Sequence, residues 1–141
     1  NILRESLSAI PEVTFRRVPE GGEENYSFLN FFLPSEAMAQ KAHQALGANG
    51  VDACFYWYNN NWHYYRKWEH LTHLKSLGKL PEEVVEGLPD YAKADFSVSD
   101  HWVGRTISCL IKLGWSEKEM EERAKKMVEV IQSFYMTNWS F

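Results

Sequence analysis

This 141-residue sequence lacks the features that define several broad classes of protein. Its apolar runs are far shorter than the roughly 18 residues that span a bilayer, and its start shows no signal-peptide pattern. The glycine-rich nucleotide motifs, the Gly-x-Ser-x-Gly motif and the His-Glu-x-x-His motif are all missing. Internal repeats are absent too. The sequence therefore predicts neither a membrane protein nor one of the common nucleotide, hydrolase or zinc-protease sites.

Cysteine and positive charge are also scarce. Cys54 and Cys109 are the two cysteines, and both lie in apolar stretches. This favours small core residues in a reducing cytoplasm over a disulfide framework or a zinc site. Fifteen Lys and Arg against nineteen Asp and Glu give a net charge of -4. That balance argues against nucleic acid or an anionic membrane as the main partner.

What the chain has is enough apolar sequence for one folded domain, which we place at residues 1–141. Hydrophobic residues make up 45% of it and charged residues 24%, as is typical of globular proteins. Helical spacing is present from the first residues and stops at Pro11. We therefore expect the chain to be part of a longer protein, with residues 1–12 as the end of a linking helix.

The apolar pattern predicts an α+β fold with an antiparallel or mixed sheet of about three to four strands, covered by helices on one face. The predicted strands are residues 13–18, 26–33, 51–58 and 106–113. Five helices are predicted. The first follows Ser35, the second spans residues 62–77, and the third begins at Pro81. The fourth runs from a Ser99-Asp100 cap through Arg105, and the fifth follows Ser116. Ser35 is the expected N-cap of one helix. Ser116 and Glu119 form the capping box of the last helix, with Met120, Ala124, Met127, Ile131 and Phe134 as its buried stripe.

An unusual aromatic cluster follows the third predicted strand, because eight aromatic residues lie between Phe55 and Trp68. The same segment carries three consecutive asparagines and a histidine. Aromatic faces suit the apolar side of a sugar ring, amides suit hydroxyl groups, and an imidazole transfers protons near neutral pH. The candidate binding residues here are Tyr56, Asn60, Asn61, Trp62 and His63. The alternative is that the rings are core residues and the asparagines a turn.

Two further groups have weaker functional signals. His70 and His73, with His63, have ligand spacing, but no thiolate or carboxylate completes a set, so we predict no metal site. Arg105 suits a carboxylate or phosphate ligand through its guanidinium. The favoured alternative is that Arg105 pairs with a neighbouring carboxylate such as Asp100 and holds a loop.

Three segments together resemble the C-terminal small domain of the DegT/DnrJ/StrS family of sugar aminotransferases. The first is the strand Asn25-Tyr-Ser-Phe-Leu-Asn-Phe-Phe-Leu33 followed by a helix. The second is Gly50-Val-Asp-Ala-Cys-Phe-Tyr56 running on to His63. The third is Ser99-Asp-His-Trp-Val-Gly-Arg-Thr-Ile-Ser108 followed by the capped helix after Gly114. The resemblance covers nearly the whole chain.

This resemblance implies a pyridoxal 5'-phosphate enzyme that moves an amino group, with glutamate as the implied donor, to a keto-sugar in sugar or surface-polysaccharide biosynthesis. In that family the cofactor lysine and phosphate site belong to an N-terminal large domain, so this chain alone is expected to be inactive. The implied substrate-binding residues are His63, Asn60, Asn61, Tyr56, Trp62 and Arg105. The intact enzyme is expected to be cytoplasmic and a homodimer.

Two readings from other classes remain open. The aromatic segment suits a non-catalytic module that binds a carbohydrate or another small molecule. It also suits a protein-interaction domain, because Trp and Tyr are enriched at interfaces.

Overall fold

Four short strands form one antiparallel sheet in the computed structural model, which describes residues 2–60, 62 and 64–136. They are β1 (Thr14–Phe15), β2 (Phe28–Phe32), β3 (Cys54–Phe55) and β4 (Thr106–Leu110), in the order β1-β2-β4-β3. The long strands β2 and β4 lie at the centre, and the two-residue strands lie at the edges. The predicted α+β class and the size of the sheet are confirmed.

Six α-helices lie in the described part of the chain, and three of them cover one face of the sheet. These three are α1 (Ile2–Ser8), α2 (Glu36–Ala48) and α6 (Glu117–Met136). The short helices α3 (Glu69–Thr72), α4 (Glu82–Gly87) and α5 (Ser97–Val103) belong to the segment between β3 and β4. As expected, α4 begins just after Pro81. Across the described residues, every helix is too short or too polar to traverse a lipid bilayer.

Side-chain caps fix where the two main helices begin. The Ser35 hydroxyl accepts a hydrogen bond from the Met38 amide at 3.2 Å, as predicted for an N-cap. Ser116 and Glu119 form the predicted capping box, because the Ser116 amide donates to the Glu119 carboxylate and the Glu119 amide donates to the Ser116 hydroxyl. After α2, Gly50 takes the left-handed φ of 74° that allows the chain to turn into the third strand.

The core lies between the sheet and these three helices. Leu29 and Phe31 of β2 and Ile107 and Cys109 of β4 point towards the helices and are buried. The helices add their own buried side chains, which are Leu3, Leu7, Ala39, Ala42, Leu46, Ala124, Met127 and Ile131. In α6 these include three of the five predicted stripe residues, and Met120 and Phe134 are partly buried against the same core.

The edge strands and the long predicted helix differ from expectation. The predicted strands 13–18 and 51–58 shrink to two residues each, and a 3-10 turn at Trp57–Asn59 replaces the end of the latter. The predicted helix 62–77 is wrong. A 3-10 turn at Tyr65–Lys67 and the four-residue helix α3 take its place, and Leu74 has a left-handed φ of 50° that interrupts helical backbone.

The helix predicted to start from a Ser99-Asp100 cap begins earlier, at Ser97. The Asp95 carboxylate accepts a hydrogen bond from the Ser97 amide at 2.9 Å. Ser99 and Asp100 therefore lie inside α5, and the helix ends at Val103 before Arg105. This shift leaves the Asp100 side chain available to the aromatic segment.

Candidate functional site

The sheet face turned away from the three covering helices carries a row of alternate residues from β2 and β4. Phe28, Asn30 and Phe32 of β2 pair across the ladder with Leu110, Ser108 and Thr106 of β4. Successive strand residues point to opposite faces, so these residues share the face that lies opposite the core. We call it the open face. Unlike the helix-covered face, it mixes aromatic and polar side chains.

A hydrogen-bonded polar pair lies at the centre of the open face. The buried Ser108 hydroxyl donates to the Asn30 side-chain carbonyl at 2.6 Å. This leaves the amide NH2 group of Asn30 as a donor and the Ser108 oxygen as an acceptor, both in the middle of the sheet. Two strands far apart in sequence therefore place an amide and a hydroxyl side by side.

Aromatic rings stand on both sides of this polar pair. The Phe55 and Trp57 rings are stacked, with centroids 4.7 Å apart and planes 8° apart, and Phe28 meets both edge-on. On the other side, the Phe32 and Trp102 rings meet edge-to-face at 5.1 Å. These arrangements are the ones that aromatic quadrupoles favour, so each ring supports its neighbour.

Beside the Phe28 and Trp57 rings is an open hollow of about 460 Å³. It is lined by Phe28, Asn30, Trp57, Val103, Thr106 and Ser108. A flat indole next to an amide and two hydroxyl groups can bind a polyhydroxylated ligand, because the ring covers C–H groups while the polar groups bond its hydroxyls. Of these residues, the sequence prediction included only Trp57 in its aromatic cluster. The period-two pattern of Phe28, Asn30 and Phe32 was the available signal for the rest.

The predicted site residues of the aromatic segment do not all face solvent. Tyr56 is buried, and its hydroxyl donates to the Gly104 carbonyl at 2.8 Å. Burial raises the pKa of Tyr56 to about 12, so its phenol remains a neutral donor at physiological pH. Tyr56 thus anchors the segment to the end of α5, and the core interpretation applies to this ring.

Asn60 and Trp62 occupy the outer side of the segment. The Asn60 side-chain oxygen accepts a hydrogen bond from the Trp62 amide at 2.6 Å, and the Trp62 side chain is 76% exposed. Asn60 also borders an open polar groove of about 520 Å³, lined by Asn59, Asn60, Arg66, Lys67, Glu69 and His73. The predicted residues Asn61 and His63 lie outside the described residues.

An ionic and phenolic network ties the segment to α5. The Asp100 carboxylate accepts hydrogen bonds from the Tyr64 hydroxyl and from two nitrogens of the Arg66 guanidinium. Burial, together with the Glu36 and Asp100 carboxylates, raises the pKa of the neighbouring Tyr58. The segment is therefore held by specific polar contacts as well as by ring packing.

Arg105 does not pair with Asp100, which corrects the partner suggested by the sequence. Its Nε donates to the Leu33 carbonyl at 2.6 Å, its Nη1 lies 2.6 Å from His101 Nε2, and its guanidinium lies over the Trp102 ring. Asp100 is engaged by Arg66 instead. Arg105 thus braces the end of β2 against α5, as the structural alternative expected, with a different partner.

His70 and His73, the histidines with ligand spacing, each contact a neighbouring side chain. His70 packs against the Trp68 ring, and His73 Nδ1 lies 3.0 Å from the Thr72 hydroxyl. In the part of the chain described, no three His, Cys, Asp or Glu side chains are placed to hold a metal ion. All nine lysines are exposed. None of them is thus the desolvated lysine that pyridoxal phosphate chemistry uses, and this chain by itself does not fit that cofactor.

The comparison with protein families gives no assignment for this site: no family model matches the chain.

Proposed function

We propose that this chain is the C-terminal, substrate-covering part of a pyridoxal phosphate-dependent sugar aminotransferase. The enzyme transfers an amino group from an amino-acid donor, glutamate, to a keto-sugar. The sequence resemblance suggests the reaction, and the open face supplies a binding surface of suitable chemistry. In this proposal the cofactor and its lysine belong to a large domain of the same enzyme, as the resemblance implies.

The observation that carries the proposal is the half-enclosed hollow on the open face. Its floor is the Asn30–Ser108 pair, and one wall is the Trp57 ring stacked on Phe55. Such a surface provides one side of a sugar pocket, because a sugar ring needs both an apolar contact and hydroxyl partners. In this proposal the other side of the sugar pocket is formed by the large domain and by a second subunit. The intact enzyme is then a homodimer in the cytoplasm.

The residues of this chain bind and orient the substrate in this scheme. Trp57 covers the apolar face of the sugar, and Asn30 and Ser108 bond its hydroxyls. The sequence-based candidates Asn60, Asn61, Trp62 and His63 are assigned in this proposal to a substituent of the sugar, and Asn60 borders a polar groove separate from the hollow. Tyr56 and Arg105 act indirectly, since their polar groups already bond the Gly104 and Leu33 carbonyls.

The direct test uses the full-length protein, including whatever its gene encodes before Asn1. We expect it to carry pyridoxal phosphate, seen as a visible absorbance band that is lost when the cofactor lysine is replaced. With glutamate and a panel of keto-sugars it should release 2-oxoglutarate and the amino-sugar in equal amounts. Absence of both cofactor and transfer would refute the aminotransferase assignment.

A variant pair tests the hollow within that enzyme. Trp57→Ala removes the proposed sugar platform, and we expect KM for the keto-sugar to rise about tenfold, the equivalent of about 1.4 kcal/mol. Tyr91→Ala is the matched control, since Tyr91 lines a different surface cavity. Equal KM values for the two variants would show that the open face does not bind the keto-sugar. The aminotransferase assignment would be unaffected by that result.

A binding module is the second candidate, and the same hollow favours it because the hollow is formed by this chain alone. Calorimetric titration of the 141-residue chain with sugars separates the two. Sugar binding together with a full-length protein that has no cofactor would favour the module.

A further inference from the structure

The two cysteines face each other across the edge of the sheet. Cys54 of β3 pairs with Cys109 of β4, and their sulfur atoms lie 2.7 Å apart. Both are free thiols. Cys109 is fully buried in the core, whereas Cys54 is partly exposed at the sheet edge. The sequence predicted two small core residues, but it did not predict that they meet.

The ladder places this pair at the closest type of position in an antiparallel sheet. The neighbouring residues Ala53 and Leu110 are joined by a hydrogen bond from the Leu110 amide to the Ala53 carbonyl at 2.9 Å. Hydrogen-bonded and non-hydrogen-bonded pairs alternate, so Cys54 and Cys109 form a non-hydrogen-bonded pair, with Cα atoms about 4.5 Å apart. That spacing lies at the short end of the range found in disulfides.

A positively charged side chain lies next to Cys54, the partly exposed member of the pair. The Arg123 guanidinium from α6 lies 3.8 Å from the Cys54 sulfur, and the Arg123 side chain is only 9% exposed. Its Nε atom is buried without a hydrogen-bond partner. Asp52 binds both Arg123 and Lys112, and His43 Nε2 lies 3.1 Å from the Cys54 carbonyl. The nearly buried Arg123 guanidinium therefore places a positive charge beside the Cys54 sulfur.

This environment distinguishes the two sulfurs. The hydrogen bond from Cys109 and the charge of Arg123 lower the pKa of Cys54, while the neighbouring thiolate and burial raise the pKa of Cys109. The thiolate is the nucleophilic form of cysteine. Cys54 is therefore the thiol that reacts first, and Cys109 is the buried partner that can resolve the product.

We propose that Cys54 and Cys109 form a redox-active pair, in which Cys54 is oxidised by hydrogen peroxide and Cys109 then closes a cross-strand disulfide. In the first step the Cys54 thiolate attacks the peroxide, the O–O bond breaks, and Cys54 sulfenic acid and water form. In the second step the Cys109 sulfur attacks the sulfenic acid and releases a second water. Two thiols are oxidised to one disulfide, and the peroxide is reduced to two waters.

The disulfide would fasten β3, which is otherwise held at the edge by only two paired residues. The aromatic segment starts immediately after β3. Oxidation therefore attaches the start of that segment covalently to β4 and leaves its side chains unchanged. The pair is independent of the proposed aminotransferase activity and holds for a binding module equally well.

The test follows both sulfurs in the intact protein by differential alkylation and peptide mass spectrometry. Hydrogen peroxide should yield peptides that link Cys54 to Cys109, and a thiol reductant should reverse the link. Under native conditions without peroxide, iodoacetamide should label Cys54 at least tenfold faster than Cys109. Two unlinked thiols after peroxide treatment, or faster labelling of Cys109, would overturn the proposal.

Single-cysteine and charge variants separate the roles. In Cys109→Ser, peroxide should give a Cys54 sulfenic acid that dimedone traps, and Cys54→Ser should give no trapped product. Arg123→Gln should slow Cys54 alkylation at neutral pH severalfold, because loss of the guanidinium charge removes one of the contacts that lower the pKa of Cys54. Arg16→Gln is the matched control on the surface. Equal rates in the two arginine variants, or trapping at Cys109 alone, would count against the proposed activation.

If Arg123→Gln fails to fold, the pH dependence of Cys54 alkylation in Cys109→Ser supplies the same information. The rate should reach half its maximum below the ordinary cysteine pKa of about 8.5. A midpoint at or above that value would refute the proposed activation of Cys54.

Discussion

The two faces of the same sheet are built from alternate residues of the same strands, yet they differ in chemistry. On β2, Leu29 and Phe31 are buried against helices, while Phe28 and Phe32 retain contact with solvent. On β4, Ile107 and Cys109 belong to the core, while Ser108 bonds Asn30 on the opposite side. One face is specialised for stability. The other keeps paired polar groups and exposed rings, an arrangement that stability alone does not require.

The largest expected difference in stability between the two faces comes from truncating one phenylalanine on each. Phe31→Ala should lower the free energy of unfolding by about 4 kcal/mol, because it opens a cavity in a sealed core. Phe28→Ala should cost about 1 kcal/mol, since its ring is 37% exposed and loses mainly edge contacts. Denaturant titration measures both values. Equal losses would show that the open face is part of the core.

The polar pair gives the next largest effect. Ser108→Ala should cost about 1.5 kcal/mol, because it leaves the half-buried side-chain carbonyl of Asn30 without its donor. Ser8→Ala is the control, since Ser8 is an exposed serine whose hydroxyl bonds only a helical carbonyl. Stability unchanged by Ser108→Ala would mean that water replaces the hydroxyl, and the polar floor would then be open to solvent throughout.

Tyr56 connects the aromatic segment to α5, and its removal should have a smaller effect that depends on pH. Tyr56→Phe loses the hydrogen bond to the Gly104 carbonyl and should cost about 1 kcal/mol at neutral pH. Because the folded pKa is about 12 against an ordinary value near 10, the unfolded state loses its proton first as pH rises. Stability of the wild-type protein should therefore fall between about pH 10 and 12.

In Tyr56→Phe that alkaline fall should be smaller. Urea midpoints at pH 8 and pH 11 for both proteins provide the measurement. If the two proteins lose the same stability between these values, burial of Tyr56 is not what causes the alkaline loss.

The smallest expected effect on stability comes from the cap of α6, a helix on the helix-covered face of the sheet. Ser116→Ala removes the N-cap of α6 and should cost about 0.5–1 kcal/mol. Ser99→Ala, an exposed change inside α5, is the control and should change stability less. A loss of several kcal/mol would indicate that the Ser116 side chain also supports the core.

The sequence predicted the elements whose own residues determine them. The helices α2 and α6 carry their caps and their apolar stripes locally, and β2 is apolar except for Asn30. The prediction of a helix at residues 62–77 is wrong, because its apolar residues have helical spacing but do not share a buried face. These residues are Tyr65, Trp68, Leu71, Leu74 and Leu77. Leu77 is fully exposed, so its contribution to the pattern was coincidental.

The site was less predictable, because it depends on strand order. Placement of β4 between β2 and β3 is a long-range outcome of folding. That placement brings Asn30 to Ser108 and Cys54 to Cys109, pairs separated by 78 and 55 positions. Local spacing contains no information about either meeting.

The two-residue length of β1 and β3 also affects how the molecule behaves at high concentration. A long bare strand at the margin of a sheet is a template on which a second molecule can add its own strand and begin a fibril. Here each edge strand is only two residues long, and a 3-10 turn follows β3. Growth by strand addition has little backbone to start from, so the exposed rings can remain available to a ligand without the sheet itself promoting aggregation.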